Sequence, residues 1–175
     1  MQSLFAPWRY SYLIEARAKG ECVFCTALRS PDDDSSLIVH RGTHNFVILN
    51  LFPYTNGHLM VVPNLHVASP SESSPVQRAE LIELASACER ALRSAYQSDG
   101  INMGMNLGKA AGAGVEDHYH LHVLPRWEGD TNFMAVTAHT RVIPEALDTT
   151  RDRLRAALAK CLQPAPAPAS EIPHA

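Results

Sequence analysis

Three short apolar runs, Leu37-Ile38-Val39, Phe46-Val47-Ile48-Leu49 and Leu59-Met60-Val61-Val62, are bounded by Gly, Asn or Pro, the punctuation of sheet strands. They predict an antiparallel meander whose last two members are joined through a turn containing Pro53 and the Asn56-Gly57 dipeptide. After Ser74 the period changes. Leu81, Leu84, Ala85, Cys88, Leu92 and Ala95 recur at steps of three and four, which predicts a helix running to about Tyr96. Ser74 and Gln77 provide a capping box at its start, and Pro75 suits the first turn. Two more strands are read over 100–106 and 118–125. A last segment, Glu145 to Leu162, places Leu147, Leu154, Leu158 and Cys161 on one helical face. The fold class expected is therefore α+β: an antiparallel sheet of about five strands, one long helix and a C-terminal helix.

Either side of this body the pattern is lost. The aromatic stretch Leu4 to Leu13 is broken by Pro7, so residues 1–20 read as an extended arm docked on the domain. The alternating Pro and Ala of 164–168 cannot propagate a helix, and 163–175 reads as a disordered tail. Between lies one domain, 21–162. Its segment Ser30 to Ser36, with Pro31 and Asp32-Asp33-Asp34, reads as a solvated acidic loop.

Composition narrows the function classes. Hydrophobic residues make up 46% of the 175 and charged ones 19%, which excludes wholesale disorder. A formal charge of −3 leaves no broad basic field for a nucleic-acid backbone or an anionic membrane. No apolar run approaches the roughly 20 residues of a membrane span, and Pro7 and Arg9 interrupt any signal-peptide core. A cytoplasmic protein is expected, recognising a small-molecule partner locally.

The densest chemistry is His118-Tyr119-His120-Leu121-His122-Val123-Leu124-Pro125-Arg126. On a strand, alternate residues share a face, so the three imidazoles stand together while Tyr119, Leu121 and Val123 face the core. Neighbouring His are roughly 6.6 Å apart, close enough for two rings to act on one phosphate-sized group. Neutral imidazole is both nucleophile and leaving group, suited to double-displacement transfer of a phosphoryl or nucleotidyl group. The loop ahead of this strand, Leu107 to Val115, holds Gly108, Gly112 and Gly114, whose backbone N–H groups can cradle phosphate oxygens. A metal site or a polar sheet surface also suits the alternation.

The stretch from Phe46 to Arg126 resembles the histidine triad superfamily of nucleotide hydrolases and transferases, whose signature alternates three His with apolar residues. The continuation through Leu124-Pro125-Arg126 and Gly129-Asp130 looks like the branch that cleaves dinucleoside polyphosphates; Cys22-x-x-Cys25 looks like zinc-carrying bacterial relatives. The resemblance implies that His120 is the nucleophile on the α-phosphate, that His122 contacts the phosphate and assists, and that His118 is structural or metal-linked. It implies a substrate site at Asn50, His58, Asn106, Gly112, Ala113 and Gly114, with Asn50 at the ribose and His58 near the phosphates. It also implies a homodimer. Where phosphoramidate-cleaving relatives carry a Gln-Ser pair this chain has Ala113-Gly114, so leaving-group donation falls to backbone N–H groups or Lys109.

Two thiolates and two imidazoles, from Cys22, Cys25, His66 and His118, make up the ligand set of a structural zinc site. Zinc-bearing relatives place a His eight residues after the Gly-His, as His66 follows His58. A redox pair is the competing reading of Cys22 and Cys25. The alternatives to dinucleoside polyphosphate cleavage are hydrolysis of nucleoside phosphoramidates and a non-catalytic, zinc-stabilised adaptor.

Overall fold

The computed structural model describes residues 21–130 and 145–163. The expected arm over 1–20, and the tail beyond 163, lie outside the described residues. In chain order the elements are α1 (Val23–Arg29), α2 (Asp33–Ser36), β1 (Ile38–Arg41), β2 (Asn45–Leu49), β3 (Leu59–Pro63), α3 (Pro75–Tyr96), β4 (Gly100–Gly104), β5 (Leu121–Arg126) and α4 (Leu147–Cys161). The five strands form one antiparallel sheet in the order β1-β2-β3-β5-β4. No described helix is long and apolar enough to cross a membrane.

Both faces of the central strands are covered, which is why β2 and β3 are apolar at nearly every position rather than alternating. The sheet pleat sends Val47, Leu49, Leu59, Val61, Leu121 and Val123 to one side, where they pack with Leu84, Cys88 and Leu92 of α3 and Leu154 and Leu158 of α4. It sends Phe46, Ile48, Met60 and Val62 to the other, where Phe24 of α1 joins them. Each such side chain taken fully from water contributes about 1.5–3 kcal/mol before entropy is counted. Met60 pairs with His122 across β3 and β5, so His122 belongs to the α1 face.

Helix α3 begins as its sequence predicts: Ser74 Oγ accepts from Gln77 N and Gln77 Oε1 accepts from Ser74 N. It stops at Gln97, which takes the left-handed conformation (φ 50°), and Gly100 opens β4, where the sequence reading began that strand.

Several boundaries depart from the sequence reading. Strand β4 ends at Gly104, not 106. Strand β5 starts at Leu121, not His118. Continuing the β3–β5 register would set Tyr119 opposite Pro63, which has no N–H for a ladder. Tyr119 N donates to Val67 O instead, and His118 Nε2 takes the Pro63 carbonyl (2.9 Å). The acidic segment is not simply solvated. Asp32 caps α2 by accepting from Asp34 N, Asp33 pairs with Arg41 (2.7 Å), and Asp34 pairs with Arg155 of α4 (2.8 Å). Helix α1 itself was not foreseen.

The β1–β2 turn is held from α3 by Glu80, whose carboxylate accepts from Thr43 N, His44 N and Asn45 Nδ2 at 2.7–2.8 Å. Burial pushes this carboxyl up, but the hydrogen bonds from Asn45, His44 and Thr43 outweigh it and hold the group below its ordinary value. Its stabilising contribution is therefore present above the unfolded pKa, near 4.3, and lost as pH falls through the lower folded value. Glu80→Ala removes the acceptor of Thr43 N and His44 N and one of the two acceptors of Asn45 Nδ2, and is expected to cost about 2–3 kcal/mol at neutral pH. Urea titrations of both proteins should show that gap closing as the pH is lowered below about 4.

Candidate active site and metal cluster

Beside β5 the α1 face opens into a cavity of about 530 Å³. Asn50, Asn106, Gly112, Ala113 and Gly114 lie on its wall with His120 and His122, as the sequence reading placed them. His58 does not. It is fully buried behind His122, with Nε2 2.9 Å from His122 Nδ1. The sequence reading missed the apolar part of the wall, where Ile48 and Met60 are joined by Val23, Phe24 and Ala27 of α1. Their spacing, i, i+1 and i+4, is one stripe of a helix, and that was the available signal.

Backbone partners fix which imidazole nitrogen carries each proton. His120 Nδ1 lies 3.1 Å from His118 O, a pure acceptor, so Nδ1 is protonated and Nε2 keeps its lone pair. No described residue offers His120 Nε2 a hydrogen bond. Burial lowers the His120 pKa, outweighing the bond to His118 O that acts the other way, so the ring stays neutral to lower pH than free imidazole. His120 is therefore a ready nucleophile at the cavity wall.

The second imidazole is set for the opposite task. Tyr54 N donates to His58 Nδ1 (3.1 Å), and Asn50 Nδ2 approaches the same atom at 3.3 Å. His58 must then carry its proton on Nε2 and donate to His122 Nδ1, which puts the His122 proton on Nε2. A neutral His122 in this tautomer donates where His120 offers a lone pair, and the two rings are 4.8 Å apart between centroids. Asn50 Oδ1 accepts from Phe52 N (2.9 Å), so Asn50 shapes the turn ahead of His58 as well as the wall.

His118, the first of the row, leaves the cavity to join a different group. With Cys22, Cys25 and His66 it forms a cluster whose four ligand atoms lie within 4.8 Å of one another. His118 Nε2 donates to Pro63 O, leaving the Nδ1 lone pair toward Cys22 Sγ (3.3 Å) and Cys25 Sγ (3.7 Å); Cys25 Sγ lies 3.3 Å from His66 Nδ1. A tetrahedral ion with metal–sulfur bonds near 2.3 Å and metal–nitrogen bonds near 2.05 Å gives sulfur–nitrogen edges of about 3.5 Å, so the donor set fits one. Burial, then the neighbouring Cys22, push the Cys25 thiol up. A cation in the cluster would reverse that shift. The two centres are joined by Phe24, whose ring packs edge-on to His118 (5.4 Å) and against His120 (4.9 Å).

Sheet and site define a class: α+β proteins in which alternating histidines at the start of a sheet strand edge a cavity. The chain belongs to the HIT domain family, whose model matches residues 32–129. It is 36% identical over 158 residues to the AP-4-A phosphorylase of Mycobacterium tuberculosis, covering 86% of this chain and 81% of that protein. The crystal structure of a Zn-bound histidine triad family protein from Mycobacterium smegmatis superposes with a TM-score of 0.64 at 30% identity, over 81% of this chain and 95% of that one. A hypothetical histidine triad nucleotide-binding protein from Sulfolobus tokodaii shares the fold, with a TM-score of 0.64 at 24% identity over 79% of this chain and 93% of that one.

Proposed function

We propose that the protein cleaves dinucleoside polyphosphates of the diadenosine tetraphosphate class at an α-phosphate, through a nucleotidyl-histidine on His120. The observation that carries this reading is the unpaired Nε2 of a neutral His120 on the wall of the cavity. The 36% identity to AP-4-A phosphorylase over most of the chain supports the substrate class. Nε2 attacks the α-phosphorus, the bridging P–O bond breaks, and ATP leaves as its anion while its departing oxygen accepts a hydrogen bond from His122 Nε2–H. That donor fills the place left by Ala113-Gly114, and Asn106 and the backbone of 112–114 hold the phosphate oxygens. Orthophosphate or water then attacks the nucleotidyl phosphorus, the P–N bond to His120 Nε2 breaks and frees that nitrogen, and the acceptor's proton passes to solvent.

The acceptor is read directly from the products. Diadenosine tetraphosphate should yield ADP and ATP when orthophosphate accepts, and AMP and ATP when water does. No turnover of this substrate by metal-replete protein, with or without phosphate, overturns the reading; cleavage of a nucleoside phosphoramidate alone would replace it with the runner-up.

The proposal includes zinc held by Cys22, Cys25, His66 and His118. Zinc would supply structural tethering of the segment preceding α1 to the base of β5, leaving His120 for substrate. It also includes a cytoplasmic homodimer, which sedimentation of the purified chain would test.

A further inference from the structure

The carboxylate of Glu145 does not line the cavity, yet it stands at one end of a chain of contacts that reaches the histidines on its wall. Its Oε2 accepts from Tyr96 Oη (2.5 Å), Thr150 Oγ1 (2.8 Å) and Asn56 Nδ2 (3.3 Å), and its Oε1 pairs with Arg153 (2.8 Å). Its side chain is only 14% exposed. A charge so enclosed and so fully bonded is poor evidence for stability, because the cost of desolvating it offsets most of what its partners return. Its geometric consequence is better defined.

Three of these contacts converge on the turn that delivers His58. Asn56 Nδ2 donates to Glu145, and the Asn56 Oδ1 is buried with no hydrogen-bond partner among the described residues, so this carboxylate orients the Asn56 side chain. Gly57 has φ +76°, and a Cβ there would stand 3.0 Å from the Tyr96 ring and 3.1 Å from Leu92, so the turn lies flat on Tyr96. Tyr96 is fixed in turn by its hydroxyl on Glu145 and by Arg153, whose guanidinium sits 5.4 Å from the ring centroid. Glu145, Asn56, Gly57 and His58 surround a common interstice with no room for water. A shift of Glu145 is therefore passed to the turn packed against it.

We propose that Glu145 is a positioning residue for catalysis: acting through Asn56 and Tyr96, it holds the turn that aims His58 Nε2–H at His122 Nδ1 and so fixes the His122 tautomer. This rests on the reading of His122 Nε2–H as the hydrogen-bond donor to the departing oxygen in the proposed reaction. The tautomer, however, can be observed without any substrate.

Long-range proton–nitrogen spectra of the imidazoles in the metal-replete full chain should show His122 in its Nε2–H form. In Glu145→Ala that signal should move toward the average of the two tautomers, and kcat should fall about tenfold with KM unchanged within twofold, the pattern of lost alignment rather than lost binding. Glu145→Gln keeps an acceptor for Asn56, Tyr96 and Thr150 and should restore most of kcat and the wild-type spectrum. Asn56→Ala cuts the clamp at its site end without touching α4, so it reports even if Glu145→Ala does not fold; it should reproduce the spectral change. A wild-type imidazole spectrum in Asn56→Ala overturns the proposal, as does a Glu145→Ala protein that loses thermal stability while keeping kcat. If the spectra change as expected but wild type turns over no dinucleoside polyphosphate, the clamp stands and the assigned reaction falls.

Discussion

His120→Ala is expected to lower turnover of diadenosine tetraphosphate by at least about 10⁴-fold, the scale on which enzymes respond to loss of a nucleophile. The expectation follows from the division of labour between the two rings. His120 is the imidazole whose Nδ1 proton is committed to a backbone carbonyl, leaving Nε2 to attack. His122 has its proton on the other nitrogen and cannot take over, because the His58 N–H occupies its Nδ1 lone pair. His120 is 5% exposed and packs on Phe24, so the truncation extends the existing cavity rather than opening a new one, and the fold should persist. Nucleotide affinity should change by only a few fold, since the apolar wall and the 112–114 backbone remain. Quenched-flow assays with acid-stable product analysis, beside a titration of AMP, would measure both. Near wild-type turnover by pure His120→Ala protein would remove the covalent mechanism altogether.

How much of this was legible in the sequence depends on how local each cause is. The His row and the Ser74–Gln77 capping box declare themselves through period and spacing, because a strand's alternation and a helix's first turn are set by residues next to one another. The same holds for Leu154 and Leu158, both fully buried as their spacing predicts. Helix α1 is different. It spans seven residues, has no side-chain cap, and carries Val, Cys, Phe and Thr, which favour helix weakly. A segment that short is marginal alone, so it is helical because Phe24 is buried under the sheet and Cys22 and Cys25 meet His66 and His118.

His58 was legible as a participant and misjudged in position. Its place behind His122, not on the cavity wall, depends on the pairing of Leu59 with Val123 and Met60 with His122, a long-range register that no neighbouring residue encodes. Asp34 shows the same limit: its polarity reads as solvation until Arg151 and Arg155 arrive from the far end of the chain. Glu145 was legible only as the opening residue of a helical segment. Its four partners come from the β2–β3 turn, the end of α3 and the first turns of α4.

Zinc held by this cluster would fasten an element that also lines the cavity, so its removal is expected to have the second large effect. Cys22 and Cys25 flank Phe24, and the stripe of Val23, Phe24 and Ala27 is one wall of the cavity. An ion at a free concentration about a thousand times its dissociation constant stabilises the folded chain by about 4 kcal/mol. At 2–4 °C per kcal/mol for a domain of this size, chelation should lower Tm by roughly 8–16 °C. With the tether gone, α1 has too few turns to remain helical unaided, and Phe24 no longer packs His120 from the cavity side. AMP should therefore bind more weakly to the stripped protein, and by reciprocity AMP should tighten the hold on zinc by the same factor. Cys22→Ser with Cys25→Ser should match the stripped protein in Tm and no longer respond to added zinc. Calorimetric scans and nucleotide titrations on chain brought below 0.1 zinc per protomer by mass spectrometry would decide the matter. An unchanged Tm with unchanged AMP affinity would mean that the four ligands hold no metal that matters to fold or site, and that α1 is fastened by the burial of Phe24 alone.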